Sequence, residues 1–170
     1  MSETEIGQVT DWMRHPAKMF DVSKQTAIVT GASGAFGRGI AITLGAQGAN
    51  VLLASGNESE LKSVAKDVED VGGRAAYIVR RPDSLADAEA MRDSAIDNFG
   101  SIKMLAVGSG YNKAGFIHEM DYEDWQDVMD ANVRGAWFMA KAVGSYWIKN
   151  NIKGKMLLMS SVRGRHGNIS

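Results

Sequence analysis

A glycine-rich segment at residues 30–39, which reads TGASGAFGRG, follows the apolar run TAIV at residues 26–29. Glycines let a backbone turn sharply and approach a pyrophosphate closely. A helix that begins in such a segment directs its unpaired N–H groups and the positive end of its dipole at the phosphates. The spacing therefore predicts a dinucleotide phosphate site, with the following candidate binding residues: Gly31, Ser33, Ala35, Phe36 and Gly37.

The elements around this segment have the order that such a site needs. Ile40, Ala41 and Leu44 share one face of a helix, and residues 49–54 (ANVLLA) are typical of a second buried strand. Together they predict a βαβ unit of about thirty residues. The alternative, in which the glycines serve only a tight turn, does not account for the whole unit.

Composition narrows the class of protein. The chain has 170 residues, enough for one domain, and its 45% apolar and 23% charged residues are typical of a globular protein in water. The 19 basic residues balance 20 acidic ones, so we expect neither a nucleic-acid nor a membrane partner. The chain has no cysteine, which fits a reducing cytoplasm, and the N-terminal residues do not resemble a signal peptide.

Strands and helices alternate along the rest of the chain. Further strands are predicted at residues 75–79, 102–107 and 155–159, and a long helix at about 121–150. Asn57 is predicted to cap a helix with Glu60 reaching back to it, and Ser84 to open another. This order predicts an α/β fold with a doubly wound parallel sheet of the Rossmann type. We expect residues 1–22 to form an N-terminal extension and residues 23–170 to form the nucleotide-binding domain.

In such a sheet the ligand lies beyond the carboxyl ends of the strands. Those ends are residues 31–37, 55–57, 80–83, 108–111 and 160–165. His15 and His118 have no second ligand at metal spacing, so no metal site is expected.

These residues resemble the classical short-chain dehydrogenase/reductase family. The family motif T-G-x-x-x-[AG]-x-G matches Thr30, Gly31, Ala35 and Gly37. The family asparagine in the helix after strand four matches Asn132, and the strand-five serine matches Ser161. The resemblance covers residues 22–170 and implies an NAD(P)-dependent oxidoreductase that interconverts a secondary alcohol and a ketone. In it, Ser161 would polarise the carbonyl and Asn132 would brace a proton-relay water.

The resemblance also implies a catalytic tyrosine and lysine in the pattern Y-x-x-x-K, which this sequence does not contain. None of its tyrosines is followed by a lysine four residues later: Tyr77, Tyr111, Tyr122, Tyr146. The family sheet also continues beyond strand five, so residues 156–159 should form an exposed apolar edge. We therefore expect this chain to be the N-terminal, incomplete part of a longer protein.

Departures from the family pattern bear on the cofactor. NAD enzymes of the family usually have Asp where this chain has Ser55, and NADP enzymes usually have Arg where it has Gly56. The missing carboxylate favours NADP, whereas the missing arginine removes the usual counter-charge, so NAD remains open. Arg81-Pro82 replaces the usual Asp-Val after strand three, and Arg81 is expected either to stack on adenine or meet a phosphate, or to be a solvated loop charge. The family motif N-N-A-G is replaced here by residues 107–110 (VGSG). The small residues Gly108, Ser109 and Gly110 can still line the nicotinamide side, but the loss of the motif's asparagine suggests a differently braced sheet.

Substrate and partner signals are weaker. The loop at residues 111–116 lies where the family often contacts its substrate, and Arg163, Arg165 and His166 would attract an anion if they are more than solvated charges. The resemblance implies a homo-oligomer, with the long helix against a second subunit. In the N-terminal extension, Met13, Met19, Phe20 and Trp12 would pin the segment to the domain or to a neighbouring subunit.

Two other functions remain open on the sequence. The missing tyrosine and lysine fit a non-catalytic dinucleotide-binding or regulatory module, but such a module has no chemical need of Asn132 or Ser161. A structural subunit that pairs with an active homologue is compatible with the apolar helix face from Trp137 to Ile148.

Overall fold

A five-stranded parallel sheet forms the centre of the protein, in a computed structural model that describes residues 11–164. Its strands are β1 (Thr26–Thr30), β2 (Asn50–Ser55), β3 (Arg74–Val79), β4 (Met104–Val107) and β5 (Lys155–Leu158). They lie in the order β3-β2-β1-β4-β5, and every adjacent pair is parallel. The doubly wound α/β fold predicted from the sequence is confirmed. The winding reverses between β1 and β4, where a ligand cleft is expected.

Helices connect the strands and cover both faces of the sheet. They are α1 (Asp11–Arg14), α2 (Ala35–Ala46), α3 (Glu58–Asp70), α4 (Leu85–Phe99), α5 (Tyr122–Met129) and α6 (Gly135–Lys149). A π-helical turn at Asp130–Arg134 separates α5 from α6, and 3-10 turns lie at Pro16–Phe20 and Val162–Gly164. The single helix predicted over residues 121–150 is therefore interrupted, because five residues adopt the wider π spacing.

The core has two halves, one on each face of the sheet. On one face, Ile28 and Leu52 pack with residues of α4 and α6, including Met91 and Met139. On the other face, strand residues such as Val51 pack with α2 and α3. Strands β1 and β2 are buried along their whole length, as expected for central strands with helices on both faces.

Helix caps agree with the sequence in part. The side chains of Asn57 and Ser84 accept hydrogen bonds from the backbone N–H groups of Glu60 and Asp87, which confirms both predicted caps. The predicted return contact from Glu60 is wrong. The backbone N–H of Asn57 donates instead to the Ser55 hydroxyl, 3.2 Å away, so the partner that a capping box would supply is not needed.

The N-terminal segment carries its large apolar side chains on the surface. Met13 and Met19 are more than half exposed, and Phe20 is 79% exposed. These three side chains do not pin the segment to the domain, so that alternative is wrong for them. Contact with a neighbouring subunit stays a prediction, and residues 1–10 and the side chain of Trp12 lie outside the described part of the chain.

The two edges of the sheet are β3 and β5. All four residues of β5 are exposed, and Leu157 and Leu158 each keep about half of their surface accessible, at 53% and 50%. The exposed apolar edge expected from the sequence is therefore present. Among the described residues, no helix has the length and apolar character needed to cross a membrane.

Candidate functional site

A cleft of about 610 Å³ opens at the carboxyl edge of the sheet, where the winding reverses. Nine of the twelve predicted cofactor-binding residues line it: Gly31, Ser33, Ser55, Gly56, Arg81, Pro82, Gly108, Ser109 and Gly110. The structure thus brings together residues from the ends of β1, β2, β3 and β4. The other three, Ala35, Phe36 and Gly37, begin α2 and do not line this cleft, and the Phe36 side chain is 75% exposed.

Three glycines hold the turn after β1 against the turn after β4. Gly31 has φ +64°, and a β-carbon on it would lie 2.5 Å from the carbonyl oxygen of Gly108. A β-carbon on Gly37 would overlap the carbonyl group of Gly31, and one on Gly108 would lie 3.0 Å from the Thr30 carbonyl oxygen. Larger residues would force the two turns apart. Close backbone approach at the start of a helix is the arrangement that a phosphate-binding turn requires.

A hydroxyl pair braces β1 against β4 at the floor of the cleft. Thr30 Oγ1 lies 3.0 Å from Ser109 Oγ and accepts a 3.3 Å hydrogen bond from the Ser109 backbone N–H. This contact lies next to residues 107–110, where the loss of the family's asparagine suggested different bracing; the difference from the family stays a prediction. Ser109 belongs to the small-residue segment that was predicted to border the nicotinamide. The sequence did not indicate that its hydroxyl also contacts Thr30.

The end of β2 is neutral and packs against an arginine from the end of β3. Ser55 is buried, and a β-carbon on Gly56 would lie 2.8 Å from Nε of Arg81. Glu58 and Glu60, which have the spacing of an acidic ribose ligand, do not line the cleft. Glu58 is 2.8 Å from Lys62, and Glu60 is 3.9 Å from Arg38.

One wall of the cleft comes from a helix face that the sequence analysis missed. Asp127, Asp130, Ala131 and Arg134 line the cleft from α5 and the π-turn. Their spacing of three, four and seven residues is that of a single helical face, so the signal was present in the sequence. Asp130 Oδ2 lies 2.7 Å from Arg134, which neutralises both charges at this wall.

Asn132 projects from the π-turn to the loop after β4. Its side-chain nitrogen donates to the carbonyl oxygens of Tyr111, at 2.6 Å, and of Val128, at 2.8 Å. A β-carbon on Gly110 would lie 2.6 Å from Asn132 Oδ1, so only glycine fits there without a shift. Asn132 thus adjoins the cleft wall without lining the cleft itself.

Ser161 lies beyond the end of β5, next to the 3-10 turn. Its hydroxyl accepts a 3.2 Å hydrogen bond from the backbone N–H of Arg163. It is exposed and is not among the residues that line the cleft. Arg165 and His166, named as possible anion-attracting residues, lie outside the described residues.

Two charged groups near the cleft have shifted pKa values. The pKa of the Asp87 carboxyl is lowered, first by the hydrogen bond from Ser84 and then by the hydrogen bond from Arg80. In the loop after β4, the hydrogen bond to Asp124 raises the pKa of Lys113, so the ammonium form is favoured there. Within the described residues, no group of three or more His, Cys, Asp or Glu side chains is placed to hold a metal ion.

Comparison with known proteins agrees with this architecture. The sequence profile of the short chain dehydrogenases matches residues 25–170, which is most of the chain. The chain belongs to the short-chain dehydrogenase family. Family members are oxidoreductases that use nicotinamide dinucleotides, so the resemblance stated from the sequence is confirmed at this level.

Two bacterial oxidoreductases are among the curated relatives of this chain. An uncharacterized oxidoreductase of Mycobacterium tuberculosis is 40% identical over 153 residues, which cover 89% of this chain and 55% of that protein. Glucose 1-dehydrogenase 2 of Bacillus subtilis is 36% identical over 148 residues, which cover 84% of this chain and 56% of that protein. The chain spans about half the length of the curated relatives that it matches.

Solved structures of short-chain dehydrogenases share the fold. A short-chain type dehydrogenase/reductase from Mycobacterium marinum superposes with a TM-score of 0.87 at 27% identity, covering 91% of this chain and 62% of that one. Carveol dehydrogenase from Mycobacterium avium, solved in complex with NAD, superposes with a TM-score of 0.82 at 23% identity. That superposition covers 87% of this chain and 58% of that one.

Proposed function

We propose that this chain is the cofactor-binding N-terminal part of an NAD(P)-dependent oxidoreductase that interconverts a secondary alcohol and a ketone. The observation that carries the proposal is the glycine-lined approach of the β1 and β4 turns, which opens into the cleft at the reversal of the sheet. A β-carbon at Gly31 or Gly108 would collide with the backbone of the facing turn, and a phosphate-binding turn of this type needs such a close backbone approach.

Different segments along the cleft would contact different parts of the cofactor. The β1–α2 turn from Gly31 to Gly37 would hold the pyrophosphate, Ser55 and Gly56 would border the adenosine ribose, and residues 108–110 would border the nicotinamide. A bound nicotinamide cofactor supplies hydride chemistry. The Ser161 hydroxyl would donate to the substrate oxygen, where negative charge develops during reduction.

The proton for that oxygen must come from an acid outside this sequence. We place it in the remaining C-terminal part of the same protein, as the tyrosine of the family's Y-x-x-x-K pattern. Asn132 would act as a positioning residue, since its amide already bonds the carbonyl of Tyr111 at the cleft wall.

We also propose a cytoplasmic homo-oligomer that acts on a small-molecule carbonyl or alcohol. The absence of cysteine supports the location. The oligomer is supported by apolar side chains left exposed on α5 and α6, where Trp125 is 42%, Trp137 is 54% and Ile148 is 85% exposed. Sedimentation of the purified protein at several concentrations tests the oligomer, and a monomer at every concentration overturns it.

Binding and turnover test the function in that order, and both are measured on the full-length protein, whose C-terminal part would supply the tyrosine and lysine. NADH or NADPH should receive excitation energy from the tryptophans on binding, and a panel of ketones should then oxidise the bound cofactor. S161A should keep cofactor binding and lose about 100-fold or more in kcat. The neighbouring variant S160A is the matched control and should keep most of the activity.

The outcomes separate the two main hypotheses. Cofactor binding without turnover of any ketone or alcohol in the panel would favour the non-catalytic dinucleotide-binding module, which the missing tyrosine and lysine also fit. No binding of either dinucleotide would overturn both.

A further inference from the structure

The structure places one arginine where a cofactor phosphate needs a counter-charge. The ladder between β2 and β3 ends with Ser55 opposite Val79, and the Arg80 backbone N–H then donates to the Ser55 carbonyl at 2.8 Å. Arg81 is the next residue, so it leaves β3 beside the end of β2. There its Nε lies 2.8 Å, and its Nη2 3.4 Å, from the position of a β-carbon on Gly56.

Arg81 differs from the other two arginines that line the cleft. Arg80 is paired with Asp87, and Arg134 is paired with Asp130. Arg81 makes no hydrogen bond or ion pair with any residue that the structure describes, and its side chain is exposed to the cleft. It is therefore the lining arginine whose guanidinium is available to a ligand.

The surroundings of Arg81 at the end of β2 carry no competing carboxylate. Ser55, Gly56 and Asn57 are neutral, and the nearby acids of α3, Glu58 and Glu60, are paired with Lys62 and Arg38. Asp83 lines the same cleft but does not pair with Arg81. An anion at the end of β2 would therefore meet the Arg81 guanidinium, which no carboxylate of the described residues neutralises.

We propose that Arg81 binds the 2′-phosphate of NADP, reaching it across Gly56 from the neighbouring strand. The proposal rests on the proposed function, because it assumes that the adenosine ribose lies at the end of β2. A guanidinium presents a planar fork of N–H donors that matches a phosphate, and binding to a doubly charged group gains more than binding to a ribose hydroxyl. Gly56 is needed for this arrangement, because a side chain at residue 56 would occupy the space of the Arg81 guanidinium.

Two small probes isolate the 2′-phosphate from the rest of the cofactor. Adenosine 2′,5′-bisphosphate and AMP differ only in that group, and calorimetric titration of the purified protein with each gives a ratio of dissociation constants. The wild-type protein should prefer the bisphosphate. R81A should lower that preference about tenfold to a hundredfold, the range expected on losing a hydrogen-bonded pair of opposite charges, and should leave AMP binding nearly unchanged.

R80A is the matched control, since it removes the same charge from the adjacent position of the same cleft. It should change the ratio less than R81A, because Arg80 is already held by Asp87. G56A should lower the ratio by displacing the guanidinium. In the R81A background the same G56A change should leave the ratio as it is, which is the signature of coupled residues.

Other results separate failure of this inference from failure of the proposed function. Equal weakening of both probes by R81A would mean that Arg81 stacks on adenine, and the 2′-phosphate inference would be wrong. A ratio near one in the wild-type protein, with NADH still bound, would also overturn it. Failure to bind AMP, NADH and NADPH alike would overturn the proposed function itself.

Discussion

The side-chain nitrogen of Asn132 lies 2.6 Å from the carbonyl oxygen of Tyr111, so the π-turn after α5 is hydrogen-bonded to the loop after β4. The same nitrogen reaches the carbonyl oxygen of Val128, four residues earlier. In a regular α-helix that oxygen would accept from a backbone N–H. One amide group therefore stabilises the helix irregularity and holds the cleft wall.

Removing this amide should loosen the loop more than the helix. N132A loses both hydrogen bonds and should lower the free energy of unfolding by about 1 kcal/mol, since the group is exposed to solvent. Hydrogen exchange should become faster at the backbone amides of residues 109–112. The variant N98A is the control, because Asn98 also donates to a carbonyl four residues earlier, that of Ser94, but touches no loop. Unchanged exchange at residues 109–112 in N132A would contradict the bracing role.

Two glycines of α2 make a matched pair for testing the close approach of the β1–α2 turn. A β-carbon on Gly37 would lie 2.8 Å from Ala32 Cα and would overlap the Gly31 carbonyl, whereas one on Gly39 would meet nothing within 4 Å. G37A should therefore destabilise the protein by about 1–3 kcal/mol, as overpacking does. G39A should stabilise it by about 0.5–1 kcal/mol, because alanine loses less entropy in a helix.

Urea denaturation of the two variants and the wild-type protein checks this pair. G37A should also weaken NADH binding, since the displaced Gly31 belongs to the phosphate turn. Equal stabilities of G37A and G39A would mean that the turn accommodates a side chain, and the argument from close backbone approach would fail.

The parts of this structure that the sequence predicts well depend on local pattern. The glycine-rich turn after β1, both caps at Asn57 and Ser84, and the alternation of strands and helices along the chain follow from glycine spacing, side-chain chemistry and apolar periodicity. The π-turn at Asp130–Arg134 does not, because its hydrogen-bond pattern depends on packing between distant elements and leaves the apolar period of the helix nearly intact.

Contacts between side chains that lie far apart in the sequence also could not be predicted. Arg81 was expected near the cofactor or in solvent, but its position over Gly56 depends on the register of β2 and β3. The bracing of Thr30 by Ser109 joins residues 79 apart. Both contacts depend on how the strands pack in the folded protein. Neither composition nor periodicity gives information about that packing.

The only fully or nearly buried tryptophan among the described side chains, Trp147, anchors α6 to the sheet. Its Nε1 donates to the Ile102 carbonyl at 2.9 Å, and its ring leaves no room for a β-carbon on Gly154. W147F would leave the Ile102 carbonyl without this donor and should cost about 1–3 kcal/mol in unfolding free energy.

The variant W137F is the comparison for W147F, because Trp137 is 54% exposed. Its ring lies against the Phe138 ring and below the Lys141 ammonium group. In the monomer, where this side chain stays exposed, W137F should change the unfolding free energy by less than about 0.5 kcal/mol. Urea midpoints measured at one protein concentration, with the oligomeric state followed by sedimentation, compare the two. A larger loss in W137F would mean that its exposed face is covered in the assembly.

The lowered pKa of Asp87 predicts an acid-sensitive contact between the β3–α4 loop and the start of α4. Its chief cause is the hydrogen bond from the Ser84 hydroxyl at 2.6 Å, and the second is the hydrogen bond from Arg80. Because the pKa is lower in the folded protein than in the unfolded chain, the ionised carboxylate stabilises the fold. That stabilisation is complete above the unfolded pKa of about 4 and is lost as the pH falls through the folded pKa.

NMR titration of the Asp87 carboxyl carbon measures this shift directly. In S84A and in R80A the pKa of Asp87 should rise towards its ordinary value, because each variant removes one of the two largest causes of the lowering. The difference in stability between wild type and D87N should be constant from neutral pH down to about pH 5 and should shrink below it. An Asp87 pKa that is the same in S84A as in the wild type would mean that the hydroxyl acts only as a helix cap, accepting from the Asp87 backbone N–H, and does not stabilise the carboxylate.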